Sequence, residues 1–273
     1  MAFITVGKEN SADIQLYYED RGSGKPVLLI HGWPLNGASW ERQSEVLLAA
    51  GMRVITYDRR GFGRSSAPEA GYDYDTLAGD TAKIISTLGL TDLTLVGFSM
   101  AGGEVARYMG KYDGKGVAKC AFISSIAPAL RKDGNNPDGV DPAVFEGIKR
   151  GIEADRFAFL TEFFQNFYNK TATRISDQAL QASWNVAAGS SYGAMLKCVD
   201  AWLEDFRGDL KNVKVPTLVV HGDSDQIVPA EHSGKRMPQF VKQAQLHILK
   251  DAPHGLNWTH ATELSKLLLE FAR

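Results

Sequence analysis

The chain has 273 residues, 44% apolar and 23% charged, with a net charge of −2. That length accommodates one large domain with its own core and an inserted subdomain. The near-neutral charge gives no electrostatic case for a nucleic acid or an anionic membrane as partner.

The N-terminus, MAFITVGKEN, lacks the basic segment and long apolar run of a signal peptide. No run approaches the ~18 apolar residues of a membrane span. The two cysteines, Cys120 and Cys198, do not suggest a disulfide framework, and Cys120 sits in an apolar run as a small hydrophobe. A cytoplasmic location is the expectation.

In chain order, Phe3–Val6 and Ile14–Tyr18 alternate loosely and predict antiparallel strands, followed by a turn at Gly22-Ser23-Gly24. Val27–Ile30 is apolar at every position, the mark of a strand buried on both faces. The pattern returns in Val54–Tyr57, Leu93–Val96, Ala121–Ile123 and Thr217–Val220, and a last strand is expected at Gln245–Leu249. Helical stretches at Ser39–Ala50, Tyr74–Leu88 and Gly103–Tyr112 lie between the earlier ones. Strands alternating with helices predict a mostly parallel sheet covered on both sides. The alternation breaks from about Ile126 to Arg207. A loop rich in Gly, Asn, Pro and Asp (133–142) leads there into helical stretches carrying Phe145, Phe157, Phe159, Phe163, Phe164, Phe167 and Tyr168. Residues 127–207 are therefore expected to form a helical cap, with 1–126 and 208–273 as the two parts of the core.

The segment 93–105 reads LTLVGFSMAGGEV. A buried strand runs into small residues and then a helix, the setting of a nucleophile elbow with Ser99 at its tip. A tight turn pushes the hydroxyl out of the backbone, and the start of the helix offers unpaired N–H groups to a developing oxyanion. The usual string is G-x-S-x-G, and here Ala101 stands at its last position. On this segment alone, a serine in a glycine-rich turn with a phosphate-binding or structural role is the alternative.

The fold that uses such an elbow orders its triad as Ser, acid, His. After Thr217–Val220 comes HGDSDQIVP (221–229), with two acids. Asp225 lies deeper in the loop and is favoured as the catalytic acid, whereas Asp223 is expected to shape the turn. After Gln245–Leu249 comes KDAPHG (250–255), and His254 between Pro253 and Gly255 is the one histidine with the right order and setting. His31 is expected to support the loop after the third strand. His221 reads as a polar strand end, and His232, His247 and His260 as surface or supporting residues. Serine needs an adjacent base to become a nucleophile, so His254 would accept its proton while Asp225 fixes the imidazole tautomer. Val27–Ile30 leads into His31-Gly32-Trp33-Pro34, where the second oxyanion donor belongs. Pro34 has no N–H, which leaves the amides of Trp33 and Met100 as the candidates.

Taken together, GKPV (24–27), HGWP (31–34), YDRRGFGRS (57–65), LVGFSM (95–100), EVARY (104–108), HGDSDQIVP (221–229) and DAPHG (251–255) resemble the bacterial cofactor-free haloperoxidase, perhydrolase and aryl-esterase family. The resemblance covers nearly the whole chain and departs from the family at Ala101, which bears on the fine geometry of the elbow. It implies an α/β-hydrolase fold, with a mostly parallel eight-stranded sheet flanked by helices and an inserted helical cap. It places catalysis on Ser99, Asp225 and His254 and the oxyanion donors on Trp33 and Met100. It also implies small aryl or alkyl ester substrates, with lactones or lactams as the alternative, and peroxide turnover to peracids without haem, metal or flavin. No metal-ligand spacing is evident. Phe163, Phe167 and Ile227 are candidates for an apolar acyl pocket. The arginines of 58–65 are expected to bond backbone and carboxylates rather than an anion. A homo-oligomer is compatible with the sequence. A relative with an Asp nucleophile is disfavoured because Ser99 occupies that position, and a slow ligand-binding relative that keeps the triad is the rival of another class.

Overall fold

The computed structural model describes residues 2–173 and 175–273. Eight strands form one sheet: β1 (Ala2–Glu9), β2 (Ala12–Arg21), β3 (Pro26–Ile30), β4 (Arg53–Tyr57), β5 (Leu93–Phe98), β6 (Val117–Ile123), β7 (Thr217–Gly222) and β8 (Ala244–Leu249). Their order is β1-β2-β4-β3-β5-β6-β7-β8. β1 and β2 are antiparallel to each other and β2 to β4, while every pairing from β4 through β8 is parallel. The expected strands are all present, each extended at one or both ends by one to four residues, where the backbone ladder runs on past the apolar run.

Side-chain type explains the order. The uninterrupted apolar runs of β3, β5 and β7 are buried along nearly their whole length, as central parallel strands require. β1 and β8 alternate or are half-buried and take the edges. Helices α1 (Glu41–Ala49), α2 (Tyr74–Thr87) and α3 (Ala101–Lys111) follow β3, β4 and β5. The helix expected over Ser39–Ala50 starts with a 3-10 turn at Gly37–Trp40, because the Asn36 side chain accepts the Ala38 N–H there. Asp73 caps α2 by accepting the Thr76 N–H.

The order of succession reverses at β3, which has β4 on one side and β5 on the other. Open α/β sheets place their sites at such a point, beyond the carboxyl ends of the strands. The loops after β3, β5, β7 and β8 all emerge on that edge.

Between β6 and β7 lie α4 (Pro142–Phe167), α5 (Asp177–Ala188), α6 (Tyr192–Ala201) and α7 (Arg207–Leu210). α4 packs against α5 and α6. It is two helices meeting at Asp155, whose backbone is extended (φ −162°, ψ 97°). The Asp155 carboxylate accepts the N–H groups of Phe157 and Ala158 at 2.9 and 3.1 Å and so caps the second half. That break aims the aromatic half over the sheet edge. The two ends of this segment meet where the Phe206 N–H donates to the Pro128 carbonyl at 3.0 Å. Ser190 Oγ donates to Pro34 O, and the Ser191 N–H to Gly61 O, tying the segment to the loops below it. The remaining short helices are α8 (Met237–Phe240) and α9 (Leu256–Thr259), and α10 (Ala261–Ala272) closes the chain against α1. No helix among the described residues is long and apolar enough to cross a membrane.

Candidate active site

Ser99 follows β5 directly and has a left-handed backbone, φ 57°. A β-carbon in that conformation is strained, and here three hydrogen bonds hold it. Ser99 N–H donates to Ile123 O on β6 at 2.8 Å, and Ser99 O accepts from Gly102 N and Ile126 N at 3.0 and 3.3 Å. The crowding that such a turn creates falls on its neighbours. A β-carbon on Gly97 would lie 2.5 Å from Ala101 O, and one on Gly102 would overlap Ser125 Oγ. Glycine is thus required at 97 and 102, and the methyl of Ala101 is simply buried in the core. With Ala101 at the last position of the string, all three hydrogen bonds that hold Ser99 are formed.

His254 arrives on the loop after β8. Its Nε2 lies 2.8 Å from Ser99 Oγ and its Nδ1 2.7 Å from Asp225 Oδ2. Asp225 sits just past β7. Its Oδ1 accepts the N–H groups of Ile227 and Val228 at 2.9 and 2.8 Å. Burial pushes this carboxyl up. The His254 ring beside it and hydrogen bonds from His221 and His254 outweigh that, and the net result lies well below the usual carboxylate range. Ser99, His254 and Asp225 are 5%, 1% and 6% exposed, so the chain of bonds runs in a dry site that the hydroxyl only just reaches out of.

The loop after β3 approaches this group closely. A β-carbon on Gly32 would lie 2.7 Å from Phe98 Cδ1 and 3.0 Å from Ser99 Cβ. Only glycine lets the two loops meet. Among the described residues, neither the Trp33 nor the Met100 N–H donates to a protein acceptor. Met100 is fixed from behind, its carbonyl accepting the Tyr74 hydroxyl at 2.8 Å.

Beneath the loop lies a buried ion pair. Arg59 and Glu104 side chains are 1% and 0% exposed, with Arg59 Nε 2.8 Å from Glu104 Oε2. Arg59 Nη2 donates to His31 O at 2.8 Å, and Tyr57 OH donates to Glu104 Oε1 at 2.9 Å. Burial, and then the adjacent Arg59 cation, holds His31 well below the usual histidine range. Its Nε2 accepts the Arg59 N–H, so Nδ1 carries the proton and donates it to Gly32 O at 2.8 Å. Arg60 pairs with Asp80, and Asp58 accepts the Gly37 and Arg64 N–H groups. The arginines of 58–65 thus bond backbone and carboxylates, as the sequence suggests.

A cavity of about 240 Å³ opens onto Ser99. Trp33, Leu130, Phe159, Phe163, Trp202 and Ile227 contribute apolar wall, while Glu162, Asn166 and Gln226 are exposed polar residues of its lining.

Residues 25–261 match the family model for the alpha/beta hydrolase fold. The chain is 53% identical, over 99% of both sequences, to a putative non-heme chloroperoxidase of Synechocystis sp.. It is 35% identical to a bifunctional esterase/perhydrolase of Acinetobacter calcoaceticus, covering 95% of this chain and 96% of that one. Among solved structures, a bromoperoxidase from Bacillus anthracis is 46% identical and superposes with a TM-score of 0.94, covering 99% of this chain and 98% of that one. The chain belongs to the α/β-hydrolase family, among its non-haem haloperoxidases.

In this hydrolase the structure brings Ser99, His254 and Asp225 into one line of hydrogen bonds and puts Trp33 and Met100 beside Ser99. A hydroxyl, an imidazole and a carboxylate so linked can pass the hydroxyl proton to the ring as the oxygen attacks an electrophile. Phe163 and Ile227 line the cavity, but Phe167 does not. It is 0% exposed, its ring centroid is 5.1 Å from that of His254, and its carbonyl accepts the Gly255 N–H at 2.9 Å. Four residues beyond Phe163, about 6 Å further along α4, its ring packs on His254 and braces the His254 loop instead. Asp223 does not shape the acid turn through backbone N–H bonds as expected. It is exposed, with Ser224 Oγ as its side-chain partner, and Asp225 Oδ1 takes the turn amides itself. His221 is more than a polar strand end. It is wholly buried, with Nε2 3.1 Å from Asp225 Oδ2. A His and an Asp four residues apart across a strand end were the one available signal, and that spacing is too common to single out. His232, His247 and His260 are partly exposed.

Proposed function

We propose that this hydrolase cleaves small carboxylic esters through an acyl-enzyme on Ser99, and that hydrogen peroxide competes with water for the acyl group. The observation that carries the reading is the relay from Ser99 Oγ through His254 to Asp225, with contacts of 2.8 and 2.7 Å at the wall of an apolar cavity. Ser99 Oγ attacks the carbonyl carbon while His254 Nε2 takes its proton. The Trp33 and Met100 N–H groups, which have no protein acceptor among the described residues, hold the oxyanion. The intermediate collapses, the C–O bond to the alcohol breaks, and His254 returns the proton to the leaving oxygen. Water then attacks the acyl carbon to give the acid and free Ser99. With peroxide in place of water the same step gives the peracid, with no change in the oxidation state of the protein. Residues 127–207 serve as the cap whose α4 supplies Phe159 and Phe163 to the acyl pocket, with Ile227 opposite.

The relative from Acinetobacter calcoaceticus, a bifunctional esterase/perhydrolase by name, supports both halves of the reading. The test is turnover of p-nitrophenyl acetate, with and without hydrogen peroxide, assaying p-nitrophenol and peracetic acid together. Release of p-nitrophenol many orders above the uncatalysed rate supports ester cleavage, and turnover near that rate makes the protein a ligand-binding relative. Peracetic acid absent at every peroxide concentration removes the peroxide half alone.

A further inference from the structure

His221 shares the carboxylate that orients His254. Its Nε2 lies 2.8 Å from Val228 O and 3.1 Å from Asp225 Oδ2. A carbonyl can only accept, so the proton sits on Nε2 and is offered to both oxygens. The other nitrogen, Nδ1, is buried without a partner and faces Gly234, where a β-carbon would approach it to 2.6 Å. A proton on Nδ1 would have no acceptor, so packing selects the Nε2–H form. Asp225 then has four donors: the Ile227 and Val228 amides on Oδ1, and the two imidazoles on Oδ2.

We propose that His221 is a positioning residue for the proposed triad: its Nε2–H pins Val228 to Asp225 and draws off part of the carboxylate's charge, so that His254 is oriented without being held in its protonated form. This rests on the triad reading above. The charge on Asp225 does two things to His254. It fixes the ring with Nδ1 towards the acid, and it attracts a further proton to the ring. A base must be free to accept the Ser99 proton, and excess attraction stops it. Each donor to the carboxylate moderates that attraction. The groups facing Asp225 are His254, His221 and the two amides. From the segment 230–236, packed against the His221 ring, Gly234 makes the approach, while Lys235 pairs with Glu231 at the surface. On β8 the register partner of His221 is Ile248, which does not titrate. Phe98 and Phe167 cover the His254 ring. Among these neighbours the one side chain that modulates Asp225 besides His254 is His221.

The test compares His221→Leu and His221→Gln with the wild type by kcat/KM for p-nitrophenyl acetate from about pH 5 to about pH 9. Leucine removes the donor. The midpoint of the acidic limb then moves up by about half a pH unit to one unit, and the loss is largest below it, roughly three- to tenfold. Glutamine keeps an N–H near Val228 O and keeps the midpoint of the wild type. A His221→Leu profile lowered equally at all pH values, with its midpoint unmoved, would make His221 a packing residue and overturn the proposal. Should the leucine variant not fold, 15N NMR of the wild type with labelled histidine decides. The expected result is a proton on Nε2 of His221 across that range, and a proton on Nδ1 overturns the proposal. Asp225→Asn is measured alongside. Full activity in that variant sinks the triad reading itself, whereas a dead Asp225→Asn with an unmoved His221→Leu midpoint sinks the role of His221 alone.

Discussion

The buried pair of Arg59 and Glu104 gives the account a quantitative test of stability. Glu104→Gln is close to isosteric. With its oxygen towards Arg59 it keeps those bonds and loses the charge, while its amide nitrogen donates to Tyr57 OH, whose own proton turns to Thr81 Oγ1 at 3.1 Å. Arg59 is then a cation with 1% of its side chain exposed and no counter-charge in contact. Breaking a buried pair from one side costs about 3–5 kcal/mol, because the remaining charge is stranded. At about 2–3 °C per kcal/mol for a chain of this size, the melting temperature falls by roughly 6–15 °C. Differential scanning calorimetry and urea unfolding should agree on the loss. The double variant Arg59→Met/Glu104→Gln strands no charge and should be more stable than Glu104→Gln alone, although His31 O loses its Nη2 donor. Activity should fall in the single variant as well, since Arg59 holds the His31-Gly32-Trp33 loop that faces Ser99. A loss below about 1 kcal/mol, or a double variant less stable than the single one, would refute the claim that the charge pairing holds this loop.

Further outcomes follow from the site. In Asp225→Asn the oxygen stays with the Ile227 and Val228 amides, so the NH2 group faces His254 and forces a proton onto Nε2; kcat should drop by about 10⁴ with little change in KM. The stability that Asp225 contributes follows from its lowered folded-state value: it is present above the unfolded carboxylate value of about 3.9 and is lost as pH falls below it. Wild type and Asp225→Asn should therefore converge in acid unfolding below about pH 4, and a gap that widens there contradicts the assignment. Gly102→Ala drives a methyl into Ser125 Oγ and should distort the elbow, cutting kcat/KM by about tenfold or more, whereas Ala101→Gly should cost no more than about 1 kcal/mol in stability and leave activity near wild type. Phe163→Ala enlarges the acyl pocket and should raise kcat/KM for hexanoate relative to acetate esters by roughly tenfold; an unchanged ratio removes Phe163 from the pocket.

The parts of this molecule legible in its sequence are those where one residue's neighbours along the chain set its environment. β3, β5 and β7 are apolar at successive positions because they are covered on both faces, and β1 and β2 alternate because they lie towards the edge. The elbow at Ser99 and the loops carrying Asp225 and His254 each combine a strand end with turn residues, so all three could be found by order and spacing. The parts that were not legible depend on distance in space. Asp225 and His221 share an oxygen that nothing local marks, and the turn role expected for Asp223 fell to Asp225 because the buried carboxylate was the one within reach of both amides. Phe163 and Phe167 look alike in sequence, and a single helical turn puts one in the cavity and the other behind His254. The kink at Asp155 decides that placement, and an Asp inside a helical run does not announce that it will cap.

The central claim is that Ser99 carries the acyl group. The most direct measurement is mass spectrometry of the enzyme quenched during turnover of p-nitrophenyl acetate, paired with the same experiment on Ser99→Ala. The account predicts one acetyl group on the peptide containing Ser99 in the wild type. In the variant it predicts no acetylation and a loss of kcat of roughly 10⁶, which leaves only what binding and the Trp33 and Met100 amides contribute. An acetyl group on another residue, or turnover in Ser99→Ala equal to the wild type, would contradict it.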